Sequence, residues 1–155
     1  MSRRDDGEKT VASNRRARHD YELIERYECG IQLTGDEVKS LRGGRASLTD
    51  SFGRVRDGEL WLEGLHIPPY EQGDKRRHLP MRPRKLLLHR REIDEVGRAI
   101  NEKGLSLVPL RVYFVHGMAK VEMALARGKR RYEKRQSIAK REAQREMERA
   151  AGRRR

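Results

Sequence analysis

Cationic side chains are the residues of this sequence with the clearest chemical potential, because they occur in three tight clusters. The clusters are Arg15-Arg16-Ala17-Arg18-His19, Arg82-Pro83-Arg84-Lys85 and Gly128-Lys129-Arg130-Arg131. Guanidinium and ammonium groups pair with phosphate oxygens and release counterions, so that affinity falls steeply with salt. One such cluster is more simply a solvated face. Three of them in a chain of 155 residues favour contact with nucleic-acid phosphates.

The remaining polar residues do not indicate a catalytic or metal centre. The histidines have neither metal-ligand spacing nor an adjacent acid-base motif; they are His19, His66, His78, His89 and His116. Glu25, Glu28 and Glu37 could form carboxylate pairs, but solvated strand positions and helix capping account for them more simply. The pair Gly43-Gly44 could cradle a phosphate, although a glycine pair that ends a helix is commoner. We expect no enzyme, no metal and no cofactor. The alternatives are a basic barrel of the ribosomal or RNA-chaperone type without a dedicated RNA, and an RNA-processing enzyme.

The charge of the whole chain indicates a polyanionic partner. Lys and Arg number 37 against 24 Asp and Glu, which gives a formal charge of +13. Residues 128–155 hold 12 Lys and Arg and 4 Glu, so more than half of the excess charge lies there. Ile138 and Met147 are almost the only large apolar residues of that segment, whereas a helix on a membrane surface needs an apolar face. Nucleic acid is therefore favoured over a membrane.

Residues 1–10 and the cysteine content indicate the compartment. Residues 1–10 are polar and charged, and no later apolar run is long enough to cross a bilayer. The single cysteine, Cys29, excludes an internal disulfide, which fits a reducing cytoplasm. We expect a soluble, cytoplasmic monomer.

Strand signals run through the middle of the chain. Apolar residues alternate over 21–33 and on both sides of two turn pairs, Asp57-Gly58 and His116-Gly117. Alternation is typical of half-buried strands, and such pairs favour tight hairpin turns. Short strands without a βαβ rhythm predict a mainly β fold, a small antiparallel barrel of the oligonucleotide-binding type.

Helix and loop signals complete the folded part. Thr34 and Glu37 have the spacing of a capping box at the start of a short helix. Residues 90–103 repeat apolar side chains at helical spacing and end at Gly104, while 68–83 are rich in turn formers. We expect a flexible segment at 1–13, the barrel domain at 14–127, and a basic tail at 128–155 that is disordered alone and helical when RNA neutralises it.

Aromatic side chains that could stack on RNA bases are few. The candidates are Tyr21, Tyr27, Tyr70, Tyr113 and Tyr132. Strand tyrosines are more often core or half-core residues, and Trp61 is expected in the core as well. Few stacking groups favour recognition of a structured RNA by its shape.

Four segments resemble one known family in order and spacing. They are 14–21 (NRRARHDY), 35–42 (GDEVKSLR), 84–88 (RKLLL) and 128–130 (GKR). Together they resemble the signature segments of the SsrA-binding protein (SmpB) family, across almost the whole chain. The resemblance implies a six-stranded antiparallel barrel, similar to an oligonucleotide-binding fold, with about three peripheral helices.

The resemblance also implies a function and partners. Proteins of the SmpB family bind the tRNA-like domain of transfer-messenger RNA (SsrA RNA) and support delivery of that RNA with elongation factor Tu. They occupy a stalled ribosome in place of a codon–anticodon duplex. The RNA then templates a degradation tag. The expected partners are thus this RNA and the ribosome at its decoding centre, with the factor reached through the RNA. The tail is expected to enter the empty mRNA channel as a helix.

Two sets of site residues follow from the clusters and the resemblance. The RNA-binding set is Asn14, Arg15, Arg16, Arg18, Glu28, Lys39, Arg42, Lys85, Leu87 and Lys120. The ribosome-contacting set is Gly128, Lys129, Arg130, Tyr132, Glu133, Lys134 and Arg135. Because Glu28 cannot face a phosphate, we expect it to orient an arginine or to accept from a base or 2′-hydroxyl. Leu87 would be a packing contact to RNA, with burial in the core as the alternative.

Overall fold

The computed structural model describes residues 8–153. Over that range the elements are β1 (Glu8–Ser13), α1 (Arg15–Asp20), β2 (Tyr21–Ile31), α2 (Gly35–Arg42), β3 (Phe52–Arg56), β4 (Glu59–Glu63), β5 (Arg84–Leu87), α3 (Arg90–Lys103), β6 (Ser106–Val115), β7 (Met118–Gly128) and α4 (Lys129–Arg153). The predicted mainly β class is confirmed. The predicted helix at 90–103 is also confirmed, and it ends at Gly104 in the left-handed conformation with φ 64°.

The strands are joined into one antiparallel sheet that closes on itself. Neighbours follow the order β1-β6-β3-β4-β5-β2-β7, and β7 also pairs with β6. Six strands, β2 to β7, therefore form a ring, and closure leaves few strand edges exposed. The ring closes between β3 and β6 at the pair Gly53 and Leu107. A Cβ atom at Gly53 would lie 2.5 Å from the Leu107 side chain, so this approach requires glycine.

Strand β1 was not predicted. Glu8–Ser13 pair with β6 on the outside of the ring, within the segment expected to be flexible. Val11 and Ala12 pack against the main core, which gives this short strand its stability. Its sequence shows little alternation of apolar and polar residues. The strand instead depends on pairing with β6, about a hundred residues away along the chain, so the local sequence did not predict it. The domain limits at residues 14 and 127 stay predictions.

Both predicted hairpin turns are confirmed. Asp57 and Gly58 have φ of 53° and 74°, and they connect β3 to β4. His116 and Gly117 have φ of 48° and 80°, and they connect β6 to β7. Positive φ at both central residues matches the twist of antiparallel strands, which is why Asp-Gly pairs are favoured there.

Two hydrophobic clusters hold the fold together. The main core lies inside the ring and includes Leu60, Leu62, Leu86, Val121 and Met123, each 1% exposed or less. Helix α3 adds Val96 and Ala99 to it. A second cluster lies on the opposite face of β6 and β7, where Ala17 of α1 packs on four residues: Val108, Leu110, Ala124 and Ala126. Helix α1 is thus fixed to the outside of the ring.

The prediction that Trp61 belongs to the core is wrong. Its neighbours Leu60 and Leu62 are buried, so the alternation of β4 turns Trp61 to the outer face. There it is half-buried, with the Arg56 guanidinium 5.3 Å from its ring centre.

A buried ion pair connects α2 to the first residue of β5. Glu37 and Arg84 have side chains that are 2% and 0% exposed, and Arg84 Nε donates to Glu37 Oε2 at 2.7 Å. Arg84 also donates to the carbonyls of Leu65 and Pro80. Arg82 donates to the other carboxylate oxygen of Glu37. Each nitrogen of the Arg84 guanidinium and each oxygen of the Glu37 carboxylate thus has a partner, as burial of charges requires.

Glu37 also completes the predicted capping box, which is confirmed. Its N–H donates to Thr34 Oγ1 at 3.2 Å, and the Thr34 N–H donates to Glu37 Oε1 at 2.9 Å. Burial acts to raise the pKa of Glu37, but the hydrogen bonds from Thr34, Arg82 and Arg84 outweigh burial and lower it. The carboxylate therefore stays ionised to a lower pH in the folded protein than an ordinary glutamate does.

Glu37→Gln is expected to destabilise the fold by about 3–5 kcal/mol at pH 7, because it leaves a buried arginine without its counter-charge. A folded-state pKa below the ordinary value of 4.5 gives stability that is present above that value and lost as pH falls through the lowered pKa. Urea unfolding at several pH values should therefore show that the free energies of unfolding of wild type and Glu37→Gln converge as the pH falls.

The matched control is Glu71→Gln, since Glu71 is 82% exposed in its pair with Arg45 and should cost below about 1 kcal/mol. A gap between wild type and Glu37→Gln that stays constant from neutral to acid pH would contradict the assigned role.

Candidate nucleic-acid interface

The first predicted cluster is presented to solvent by α1. Asn14 precedes the helix; its N–H donates to the Leu110 carbonyl at 2.8 Å and its Nδ2 to the Pro109 carbonyl at 3.0 Å. Because Ala17 is buried against β6 and β7, the remaining side chains of this short helix face outward. Arg15, Arg16 and Arg18 are all exposed. Asn14 thus anchors the cluster, while the three arginines are free to contact phosphates.

The C-terminal tail begins beside the same cluster. Gly128 pairs with Tyr21 at the start of β2, and Lys129 Nζ donates to the Arg18 carbonyl at 3.4 Å. Helix α4 therefore leaves the sheet next to α1, which adds Lys129 to the exposed arginines. The tail is helical over Lys129–Arg153, and its disorder when free stays a prediction. The side chains of Arg130, Tyr132, Glu133, Lys134 and Arg135 lie outside the described residues.

A second group of predicted residues meets at the far end of β2. Gly30 pairs with Leu87 on one side and with Lys120 on the other. A groove of about 810 Å³ is lined by Glu28, Leu87, Lys120 and Met118, among others. Leu87 is 46% exposed, so it is a surface residue and the alternative of core burial is wrong. The groove offers an apolar floor with a carboxylate and an ammonium at its rim.

Glu28 is held by a buried tyrosine. Tyr113 is 1% exposed, and its hydroxyl donates to Glu28 Oε2 at 2.7 Å. Burial and the Glu28 carboxylate both raise the pKa of Tyr113. Arg111 lies over the Tyr113 ring, 3.8 Å from its centre, and pairs with Glu8 at 3.5 Å. Tyr113 therefore positions Glu28 and is not available to stack on a base.

Three further predicted cations lie on α2 and β5, outside the lining of this groove. Lys39 and Arg42, on the exposed side of α2, lie 5.5 Å from the Tyr70 ring centre and 5.9 Å from that of Phe114. Lys85 shares the outer face of β5 with Leu87, and its Nζ lies 3.0 Å from Glu59 Oε1. These contacts hold each cation in place and leave it within reach of solvent.

The two groups form separate sites on one surface. Tyr21 and Gly128 pair at one end of the β2–β7 ladder, and Gly30 and Lys120 pair at the other. Nine residues of strand separate the ends, a distance of about 30 Å. The sequence could not reveal this separation, because it depends on the register between β2 and β7.

Arg82 and Arg84 do not form the predicted phosphate-binding cluster. Both are engaged with Glu37, and Arg84 has no exposure to solvent. Arg82 and Lys85 keep 35% and 31% of their side-chain surface exposed, each beside a carboxylate partner, whereas Arg84 is withdrawn from the surface. The spacing of basic residues alone cannot distinguish a cation that meets a phosphate from one that meets a buried carboxylate.

The described residues show no metal or membrane features. Among the side chains that the structure describes, those of 8–129 and 141–152, no group of three or more His, Cys, Asp and Glu is placed to hold a metal ion. No helix within 8–153 has the length and apolar character of a membrane span. Burial raises the pKa of the Cys29 thiol to about 12, so this side chain is an unreactive part of the core.

A closed antiparallel ring with clusters of outward-facing cations defines a nucleic-acid-binding domain of the oligonucleotide-binding-like class. A family model described as SmpB protein matches residues 11–153. The chain belongs to the SmpB family.

Two relatives and one solved structure illustrate the similarity. The SsrA-binding protein of Desulforudis audaxviator is 60% identical over 144 residues, which cover 93% of this chain and 94% of the relative. That of Salinispora arenicola is 61% identical over 151 residues, covering 97% and 95%. A solved structure described as "tmRNA-SmpB: a journey to the center of the bacterial ribosome" has a TM-score of 0.63 and 56% identity, covering 76% of this chain and 82% of that chain.

Leu87→Ala is expected to change the free energy of unfolding by less than about 0.5 kcal/mol, because the side chain is largely exposed. Leu86→Ala is the matched comparison: it removes a side chain that is 1% exposed and should cost about 2–5 kcal/mol. Urea unfolding of the two variants measures both values. Equal losses would show that Leu87 belongs to the core and not to the interface.

Proposed function

We propose that this protein binds the tRNA-like domain of transfer-messenger RNA and acts with that RNA in trans-translation, which rescues stalled ribosomes. The observation that carries the proposal is the near full-length identity of about 60% to SsrA-binding proteins. The structure supports it by placing the exposed cations of α1 next to the point where a basic helix of 25 residues leaves the sheet. The exposed cations proposed to bind the RNA and the start of the tail thus lie at the same end of the domain.

RNA contacts are divided between the two groups of side chains. Arg15, Arg16 and Arg18 pair with phosphates at the α1 end, with Asn14 fixing the helix that carries them. At the far end, Lys120 faces a phosphate, while Glu28 accepts from a base or a ribose 2′-hydroxyl. Leu87 packs on the apolar surface of a nucleotide. Lys39, Arg42 and Lys85 surround this second contact with positive charge.

The tail contacts the ribosome. The side chains of 141–152 are exposed, so α4 buries none of them on its own domain. Arg141, Arg145 and Arg149 recur every four residues, which places them on one face of the helix. We propose that the tail starts at Gly128, passes through the decoding centre and enters the empty mRNA channel, where this face meets ribosomal RNA phosphates.

The protein acts by binding and not by catalysis. It needs no cofactor or metal ion, works in the cytoplasm as a monomer, and meets elongation factor Tu through the shared RNA. An RNA-processing activity would instead require a converging set of acid, base or metal-binding groups. A multiple-turnover assay with transfer-messenger RNA separates the two, because a binding protein leaves the RNA unchanged.

The tRNA-like domain is expected to bind more tightly than an unrelated structured RNA of equal length at every salt concentration. Counterion release weakens both complexes as salt rises, but it cannot distinguish two RNAs of equal charge. Titration of the full-length protein against both RNAs, over a series of salt concentrations, measures the preference. Equal affinities at every salt concentration would contradict the assignment to transfer-messenger RNA and would indicate a general basic RNA-binding domain.

Truncation after Gly128 is expected to leave RNA binding within a few-fold of wild type and to abolish peptide tagging. The reason is that the sheet and α1 remain complete, whereas the ribosome-contacting helix is lost. Binding is measured on the isolated tRNA-like domain, and tagging in a translation reaction stalled on an mRNA without a stop codon. A large loss of affinity in the truncated protein would place part of the RNA site on α4.

A further inference from the structure

The outer face of β3, β4 and β5 carries a set of side chains that is largely unassigned. Strand alternation turns outward the following residues: Phe52, Arg54 and Arg56 of β3; Glu59, Trp61 and Glu63 of β4; Lys85 and Leu87 of β5. We call this surface the Trp61 face. Only Lys85 and Leu87 belong to the predicted RNA-binding set.

Trp61 lies at the centre of this face between two cations. It pairs in register with Arg54 on β3 and with Lys85 on β5. Neighbouring strands lie about 4.8 Å apart, so the row of cation, indole and cation spans about 10 Å. The Arg56 guanidinium lies over the same ring, 5.3 Å from its centre. An aromatic ring bordered by cations suits a nucleotide, whose base stacks while its phosphate pairs.

The charges of the face are held in place by two carboxylates. Arg54 lies 3.5 Å from Glu63 and Lys85 lies 3.0 Å from Glu59, and both cations keep part of their surface in water. Arg56 contacts the Trp61 ring and makes no ion pair with any side chain of 8–129 or 141–152. The carboxylates restrict the orientation of two cations and leave the third available to a phosphate.

Exposed apolar side chains flank Trp61 on both sides. Phe52 and Leu87 are each 46% exposed, although the residues before them, Ser51 and Leu86, are buried. An exposed phenyl ring on a rigid strand loses little conformational freedom on binding, and every base offers it a flat surface. The apolar parts of this face therefore favour unpaired nucleotides over a duplex, whose bases are already stacked.

The Trp61 face also connects the two predicted RNA contacts. Lys85 and Leu87 lead from it to the groove at the Glu28 end. On the other side, a groove of about 970 Å³ is lined both by Phe52 and Arg54 and by Asn14 and Arg15. An RNA that reaches both groups of cations would pass over this surface.

We propose that the Trp61 face is a stacking platform for unpaired RNA nucleotides, with Trp61 and Phe52 contacting bases and Arg56 contacting a phosphate. The proposal rests on the proposed function for the identity of the RNA. The occupant is an unpaired loop of the tRNA-like domain, because the Trp61 face lies between the two groups of side chains proposed to contact that RNA. A single-stranded part of the small-subunit ribosomal RNA shares the same chemistry and is the alternative outcome of the test. The test has one arm for each.

Trp61 is the single tryptophan of the chain, so its fluorescence reports on this face alone. In the first arm, the full-length protein is titrated with the tRNA-like domain, and binding is followed by the anisotropy of a labelled RNA. Stacking of a base quenches the Trp61 emission in step with binding. A fully paired RNA duplex of equal length is the control and should bind without quenching.

The second arm measures co-sedimentation of variants with small ribosomal subunits. Trp61→Leu and Phe52→Leu each remove a stacking ring and should weaken binding to the RNA that uses the platform about 5-fold or more. Trp61→Phe keeps an aromatic ring and should stay within about 2-fold. Arg56→Gln should also weaken binding, whereas Arg98→Gln, an exposed cation on α3, should not. Thermal melting checks folding, and Phe52→Leu serves if Trp61→Leu is unstable.

Quenching by the tRNA-like domain assigns the platform to transfer-messenger RNA. Unchanged emission with weaker sedimentation of the variants assigns it to ribosomal RNA. Unchanged emission together with unchanged sedimentation overturns the proposal. Absence of a preference for the tRNA-like domain in the anisotropy data contradicts the proposed function instead, whatever the tryptophan signal shows.

Discussion

The carboxylate of Glu37 is the contact on which the arrangement of the binding surface depends. It caps α2, accepts from Arg82, and meets Arg84, which in turn holds the carbonyls of Leu65 and Pro80. Three stretches of chain, namely 34–37, Leu65 and 80–84, are therefore fixed around one ion pair. Such a pair offsets its desolvation cost only while all its hydrogen bonds are made. The segments that supply these hydrogen bonds must therefore reach their positions together.

This constraint determines where the interface residues lie. Arg84 is the first residue of β5, and its burial sets the alternation that turns Lys85 and Leu87 outward. Helix α2, capped by Glu37, carries Lys39 and Arg42 on its exposed side. Ser40 of the same helix donates to the Pro68 carbonyl at 2.7 Å, which fixes the start of the long loop. The charged surface is thus oriented by a charge that is itself hidden from solvent.

Local features were predictable from sequence, and features that depend on distant partners were not. The capping box at Thr34 and Glu37 and the turns at Asp57-Gly58 and His116-Gly117 follow from neighbouring residues, and each is confirmed. Strand β1 and the pairing of Arg84 with Glu37 depend on residues far along the chain. The orientation of Trp61 could have been predicted, because leucines on either side of it mark the inward positions of β4. The size and apolar character of the indole, by contrast, favour the core, so the two signals disagree at this position.

The way in which α4 joins the sheet has a mechanical consequence. The helix continues directly from β7, and β7 is paired along nearly its whole length with β2 on one side and β6 on the other. A force pulling on α4 along the strand direction would load both ladders in shear, so that many hydrogen bonds must break at once. A strand at an open edge would instead be peeled off one bond at a time. The tail is therefore attached to the most strongly anchored strand of the ring, and a moving partner could pull on it without unfolding the domain.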